Sequence, residues 1–209
     1  MRRFWVVLTA AVFAMAVPAG LAQGGVPVDA AEEAVAQRYT PLWNQCVQGI
    51  TAGKHGSAET ALTCRHAADT AAEFAADKRF IEKRAADVYA ATALANSGDF
   101  VAGLRYANRA VDIVKLGHDD DSGSNAAYAT RGTIEAMLNN WSAADADMTI
   151  GEDFERKAIA AAAKEKQAAT VANYKRVLAK SLVVHASVLR QMNHMAAAQA
   201  KLEEAARLQ

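Results

Sequence analysis

Along this chain apolar and polar positions scarcely ever alternate, and β-branched residues rarely cluster. Ala, Leu, Glu, Lys, Arg and Gln dominate the stretch beyond Pro41, which holds no further proline. That is helix propensity without a strand signal, and it predicts an all-α protein. Breakers divide the helices. Candidate turns fall at residues 53–56, at Ser97-Gly98-Asp99, at 117–125, at Asn139-Asn140, at Gly151 and at Asn193-His194. Thr40 before Pro41 reads as an N-cap with proline in the first turn, which leaves a short leading helix within residues 23–39. Ser57 and Asp99 are placed to cap the helices that follow, and Ser142 with Asp145 forms a capping-box-like pair. The last helix, 196–208, sets apolar positions against a charged face of Lys201, Glu203, Glu204 and Arg207.

A fixed period runs through these helices. With Gly56, Gly98, Asn139 and Asn193 as anchors, Gly49, Ala91, Gly132 and Ala186 stand seven residues upstream, and Ala61, Gly103, Ala144 and Ala198 five downstream. Ala68, Ala110, Gly151 and Ala205 stand twelve downstream, so every aligned position is small. Composition supplies alanine or glycine at a minority of positions, and an unbroken run at all of these exceeds it. Two residues after the last three anchors come Phe100, Trp141 and Met195, where the first unit has Ala58. Antiparallel helices approach to about 8 Å only where side chains are small, so the pattern reads as a helical hairpin repeated four times. One hairpin cannot bury its own apolar face, and hairpins of this kind stack.

At Leu94-Ala-Asn-Ser-Gly-Asp-Phe100 with Gly103, Ala107 and Ala110, and at Tyr128 with Arg131-Gly132, Trp141, Ala144 and Asp147, the chain resembles the tetratricopeptide repeat family. Anchor spacings of 42, 41 and 54 residues exceed the family's usual period of about 34 and are similar to its longer-helix variety. The resemblance implies a right-handed superhelical stack of antiparallel hairpins over residues 40–209, at 40–78, 80–117, 123–163 and 167–209. The excess in the last interval, across 152–175, is read as extra turns in a long projecting hairpin. The resemblance also implies a concave groove lined by the first helix of each hairpin: Val88, Tyr89, Thr92 and Asn96, then Ala129, Thr130, Thr133 and Met137, then Val183, Val184, Ser187 and Arg190. The paired Lys and Asn residues with which part of the family grips a terminal carboxylate are missing from these places. An extended apolar or mixed segment, or a partner helix, is the expected guest. Tyr89 and Arg190 carry the main expectation, because aromatic and Arg side chains dominate interface energies.

Charge and cysteine content narrow the setting. Arg2 and Arg3 precede an apolar run over 4–17, Pro18 ends it, and Gly20-Leu21-Ala22 offers small residues for a peptidase. Residues 1–22 therefore read as a cleavable signal peptide, too short for a spanning helix of roughly 20 apolar residues, and the mature chain is expected in the periplasm or outside the cell. Equal numbers of basic and acidic residues, 23 each, scattered among one another, argue against a nucleic-acid partner. Cys46 and Cys64 are the whole thiol inventory, lie at nearly matching heights on facing helices, and are expected to form a disulfide in an oxidising compartment.

No Gly-rich phosphate loop, His-Glu-x-x-His or nucleophile elbow occurs. The histidines His55, His66, His118, His185 and His194 stand singly, and the acidic run 119–125 lacks the bidentate glutamate of a calcium loop. Neither a metal nor a cofactor is expected, and the chain reads as a binding scaffold rather than an enzyme. The alternative is an enzyme or small-ligand binder whose pocket lies between helices without a linear signature.

Overall fold

The computed structural model describes residues 30–75, 79–117 and 123–208, and among these it is all-helical. The eight helices are α1 (Ala30–Thr51), α2 (Ala58–Ala71), α3 (Phe80–Asn96), α4 (Phe100–Lys115), α5 (Gly123–Met137), α6 (Trp141–Lys164), α7 (Ala168–Gln191) and α8 (Met195–Arg207). The proposed signal segment, residues 1–22, and the acidic stretch 118–122 lie outside the described residues. Among the described residues no helix is long and apolar enough to cross a membrane.

The turns share one construction. After α3 the amide of Asp99 donates to Leu94 O at 2.9 Å, and Gly98, with φ of 96°, takes the left-handed conformation that lets the chain reverse. Asn140 to Glu135 O and His194 to Leu189 O repeat that bond after α5 and α7, with Asn139 and Asn193 at positive φ. The same bond after α6, from Gln167 to Ala162 O, places Lys166 at a φ of 58°. Ser57 and Asp99 accept hydrogen bonds from the amides of Thr60 and Ala102 and so cap α2 and α4.

Three local expectations differ from what forms. Residues 30–51 are one helix with Pro41 inside it, not a leading helix and a second one beginning at Thr40. The Thr40 hydroxyl donates back to Ala36 O at 2.8 Å instead of capping, and the ring of Pro41 falls where α1 presents an exposed edge. Ser142 lies within α6, whose N-cap is Asn140, and Asp145 turns to His185. Gly151 makes no turn; it sits mid-helix in α6 against the backbone of α5.

Successive helices run antiparallel, as the pairings Arg38–Glu73, Cys46–Cys64 and Gly49–Thr60 show for α1 and α2. Of the twelve small positions in the repeat, eleven are buried, and Gly49 is half-buried. A Cβ on Gly103 would lie 3.0 Å from Ala91 O, and one on Gly132 would lie 3.1 Å from Ala144 O. These helices meet backbone to backbone, which only small residues permit. Phe100 and Trp141 pack into the core beside their turns, whereas Met195 is 61% exposed. Beyond the sequential pairs, α1 touches α3, α3 touches α5 and α5 touches α7, while no even-numbered helix meets the next even one to that extent.

Candidate functional site

The row α1, α3, α5 and α7 places most of the expected groove residues on partly open surface. Tyr89 is half-buried, its ring centroid 4.9 Å from that of Trp43, which in turn stacks on Tyr39. Burial raises the Tyr89 hydroxyl above its ordinary value. Asn96 donates to Thr92 O at 2.9 Å, and Thr133 to Ala129 O at 2.7 Å, so both spend a polar group on their own helix. Ala129, Thr130, Thr133 and Met137 are half-buried on α5, and Val183, Ser187 and Arg190 are exposed on α7. Thr92 is buried on α3 and cannot line an open groove, because the crowding of α3 between its neighbours covers that position. Val88 and Val184 pack against core clusters. The surface therefore brings together Trp43 and Tyr89 at one end and Ser187 and Arg190 at the other, on helices that meet in series.

The second set of polar side chains lies at the junctions between hairpins. At the first, Arg109 of α4 donates to Ala68 O (2.9 Å) and Asp69 (3.3 Å) on α2 and pairs with buried Asp87 of α3 at 2.9 Å. Tyr106 adds a 2.8 Å bond from its hydroxyl to Asp69. Burial pushes the Asp87 carboxyl up to about 7 against the pull of Arg109. At the second junction Arg131 of α5 forms a two-pronged pair with Asp147 of α6, both bonds at 2.7 Å, and reaches Asn108 of α4 at 3.2 Å. At the third, Glu152 of α6 is 1% exposed and meets His185 of α7, Lys201 of α8 and Arg156 of its own helix. His185 Nδ1 lies 2.6 Å from Glu152 and Nε2 lies 2.6 Å from Asp145, so the ring is held between two carboxylates. Arg156 also bonds Glu204 of α8. Burial works to raise the Glu152 carboxyl, but the bonds from His185 and Lys201 outweigh it and hold it below the usual carboxylate range.

These clusters tie three helices each, and their chemistry is that of fasteners. His185 between two carboxylates has the orienting half of a catalytic triad without its nucleophile, since the neighbouring Ser187 hydroxyl donates to Val183 O. Among the described residues no group of three or more His, Cys, Asp or Glu side chains is placed to hold a metal ion. Cys46 and Cys64 form a disulfide joining α1 to α2, with both residues fully buried.

Taken singly along the sequence, the histidines give no sign of the third junction. The signal was present in the repeat: Arg131 and Asp147 stand eight residues either side of Asn139, and His185 and Lys201 eight either side of Asn193. Asp87 and Arg109 stand eleven either side of Gly98. Equidistance from a hairpin turn puts two residues at one height on facing helices, so each pair marks a charged rung. No protein-family model matches this chain, and no curated protein matches it in sequence.

Proposed function

We propose that this chain is an exported scaffold of the tetratricopeptide type, which holds an extended or helical segment of a partner protein along the face made by α1, α3, α5 and α7. The observation that carries the reading is the asymmetry of contact: odd-numbered helices approach the next odd one closely at the backbone, in series, whereas even-numbered ones reach the next even one mainly through long polar side chains. A stack whose first helices pack more closely on one another than its second helices do is curved, with the first helices on the inner side. Tyr89, Thr130, Thr133, Met137, Ser187 and Arg190 are the contacts assigned to the partner, and Trp43 joins them beside Tyr89. Export is supported by the disulfide, a bond that persists in oxidising compartments.

The test is affinity capture from an envelope extract, with residues 23–209 as bait and Tyr89→Ala and Arg190→Ala as controls. A specific partner retained by the wild type and lost with both variants, each still folding cooperatively, is the expected result. Capture that is indifferent to both substitutions would refute this face as the binding surface.

A further inference from the structure

Glu155 differs from the other acids of α6. It is 2% exposed, and its one hydrogen-bond partner among the described residues is the side-chain amide of Asn125, itself buried in the first turn of α5. Asn125 Nδ2 donates to Glu155 Oε2, which leaves Glu155 Oε1 and Asn125 Oδ1 buried without a hydrogen-bond partner. Both are acceptor oxygens, and two acceptors satisfy each other only through a hydrogen carried by one of them. A single proton on Glu155 Oε1 closes the set, with O–H donated to Asn125 Oδ1 alongside the existing N–H bond to Oε2.

We propose that Glu155 and Asn125 form a buried proton-binding site, in which a neutral carboxyl is doubly hydrogen-bonded to the Asn125 amide and whose loss of that proton loosens the seam between α5 and α6.

The surroundings favour the neutral form. Burial alone pushes the Glu155 carboxyl up to about 8. The charged residues of α5, Arg131 and Glu135, are committed to Asp147 and Asn140. From α7, His185 turns to Glu152 and Asp145, while Lys175, Arg176 and Lys180 are exposed. On α6 itself Glu152 and Arg156 are engaged with His185, Lys201 and Glu204. From α3, Arg84 reaches Ser124 Oγ at 3.4 Å. Among the described residues no cation pairs with Glu155, so in its ionised form it would be a buried, unanswered charge.

Two measurements on the full chain test the site. Glu155→Gln preserves the ring, because its amide N–H donates where the carboxyl O–H did, and has no proton to lose. Relative to that variant, the wild-type unfolding equilibrium is expected to move toward the unfolded state by up to tenfold for each pH unit between about pH 5 and 8. Second, the side-chain carboxyl carbon of Glu155 in wild-type protein, followed by NMR, is expected to keep its protonated chemical shift after the exposed glutamates have titrated. This reading needs no variant to fold. A Glu155 signal that titrates with the exposed glutamates overturns the proposal, as does a Gln variant that is less stable than wild type with a parallel pH curve.

Discussion

Gly103 and Gly151 occupy equivalent kinds of place, helical glycines facing a neighbouring helix, yet the geometry assigns them opposite responses to alanine. Alanine is favoured over glycine in a helix interior by about 1 kcal/mol. At Gly151 the added methyl would sit 3.4 Å from Ala129 N and Asn125 O and 3.6 Å from Tyr128 Cβ, ordinary contact that leaves the helical gain intact. Gly151→Ala should therefore stabilise the protein by about 1 kcal/mol. At Gly103 the methyl would sit 3.0 Å from Ala91 O and 3.3 Å from Ala95 N, both of them backbone of α3 that can yield only if the two helices separate. Overpacking of that kind costs about 1–3 kcal/mol, so the net effect of Gly103→Ala is destabilisation of about 0–2 kcal/mol. Urea unfolding followed by circular dichroism at 222 nm, roughly the helical minimum, reads both values, with unchanged m indicating that only stability moved. If Gly103→Ala stabilised as much as Gly151→Ala, the close approach of α3 and α4 would not exist, and the physical basis of the repeat would go with it.

Further predictions concern the fasteners. Reducing the Cys46–Cys64 bond, whose partners are 18 residues apart, should lower stability by about 3 kcal/mol on the chain-entropy account; a denaturation midpoint unmoved by reductant in the unfolded-accessible range would contradict it. Glu152 is held below its ordinary value, so it contributes stability that is complete above the unfolded value near 4.5 and fades as pH falls through the lower folded value. Glu152→Gln should flatten the acid limb of the stability curve, measured by thermal melts, while leaving the slope above neutrality to Glu155. Lys201→Met should destabilise the C-terminal hairpin by about 1–3 kcal/mol, with faster amide exchange in α7 and α8 than in α3 and α4; uniform exchange across the chain would assign the junction no special role.

How far the chain could be read in advance followed from what each feature depends on. The helical class, the capped turns at Ser57 and Asp99 and the small residues at helix crossings rest on local sequence or on spacing from a turn, and these were legible. The turn at Lys166 was harder to see as a reversal, because a lysine fills the left-handed position that Gly98, Asn139 and Asn193 fill elsewhere. Pro41 misled for a related reason: its ring is compatible with a first turn, and only the packing of Tyr39 and Cys46 on one buried side shows that α1 continues through it. Of the surface positions, Tyr89 is half-buried and Arg190 exposed, while Thr92 was lost to the core because burial of α3 is set by two neighbouring hairpins at once. The partners of His185 lie 33 and 40 residues away, beyond any linear motif, although the rung symmetry about Asn193 pointed to its height.

The opposite ends of the chain are secured by unlike chemistries. A covalent link binds the first hairpin internally, and an ionic cluster binds the last hairpin to the third, so reductant should act on one extremity while salt and acid act on the other. On the proposed function, a partner lying along α1, α3, α5 and α7 spans both, so that reductant would loosen its seat at one end and acid or salt at the other.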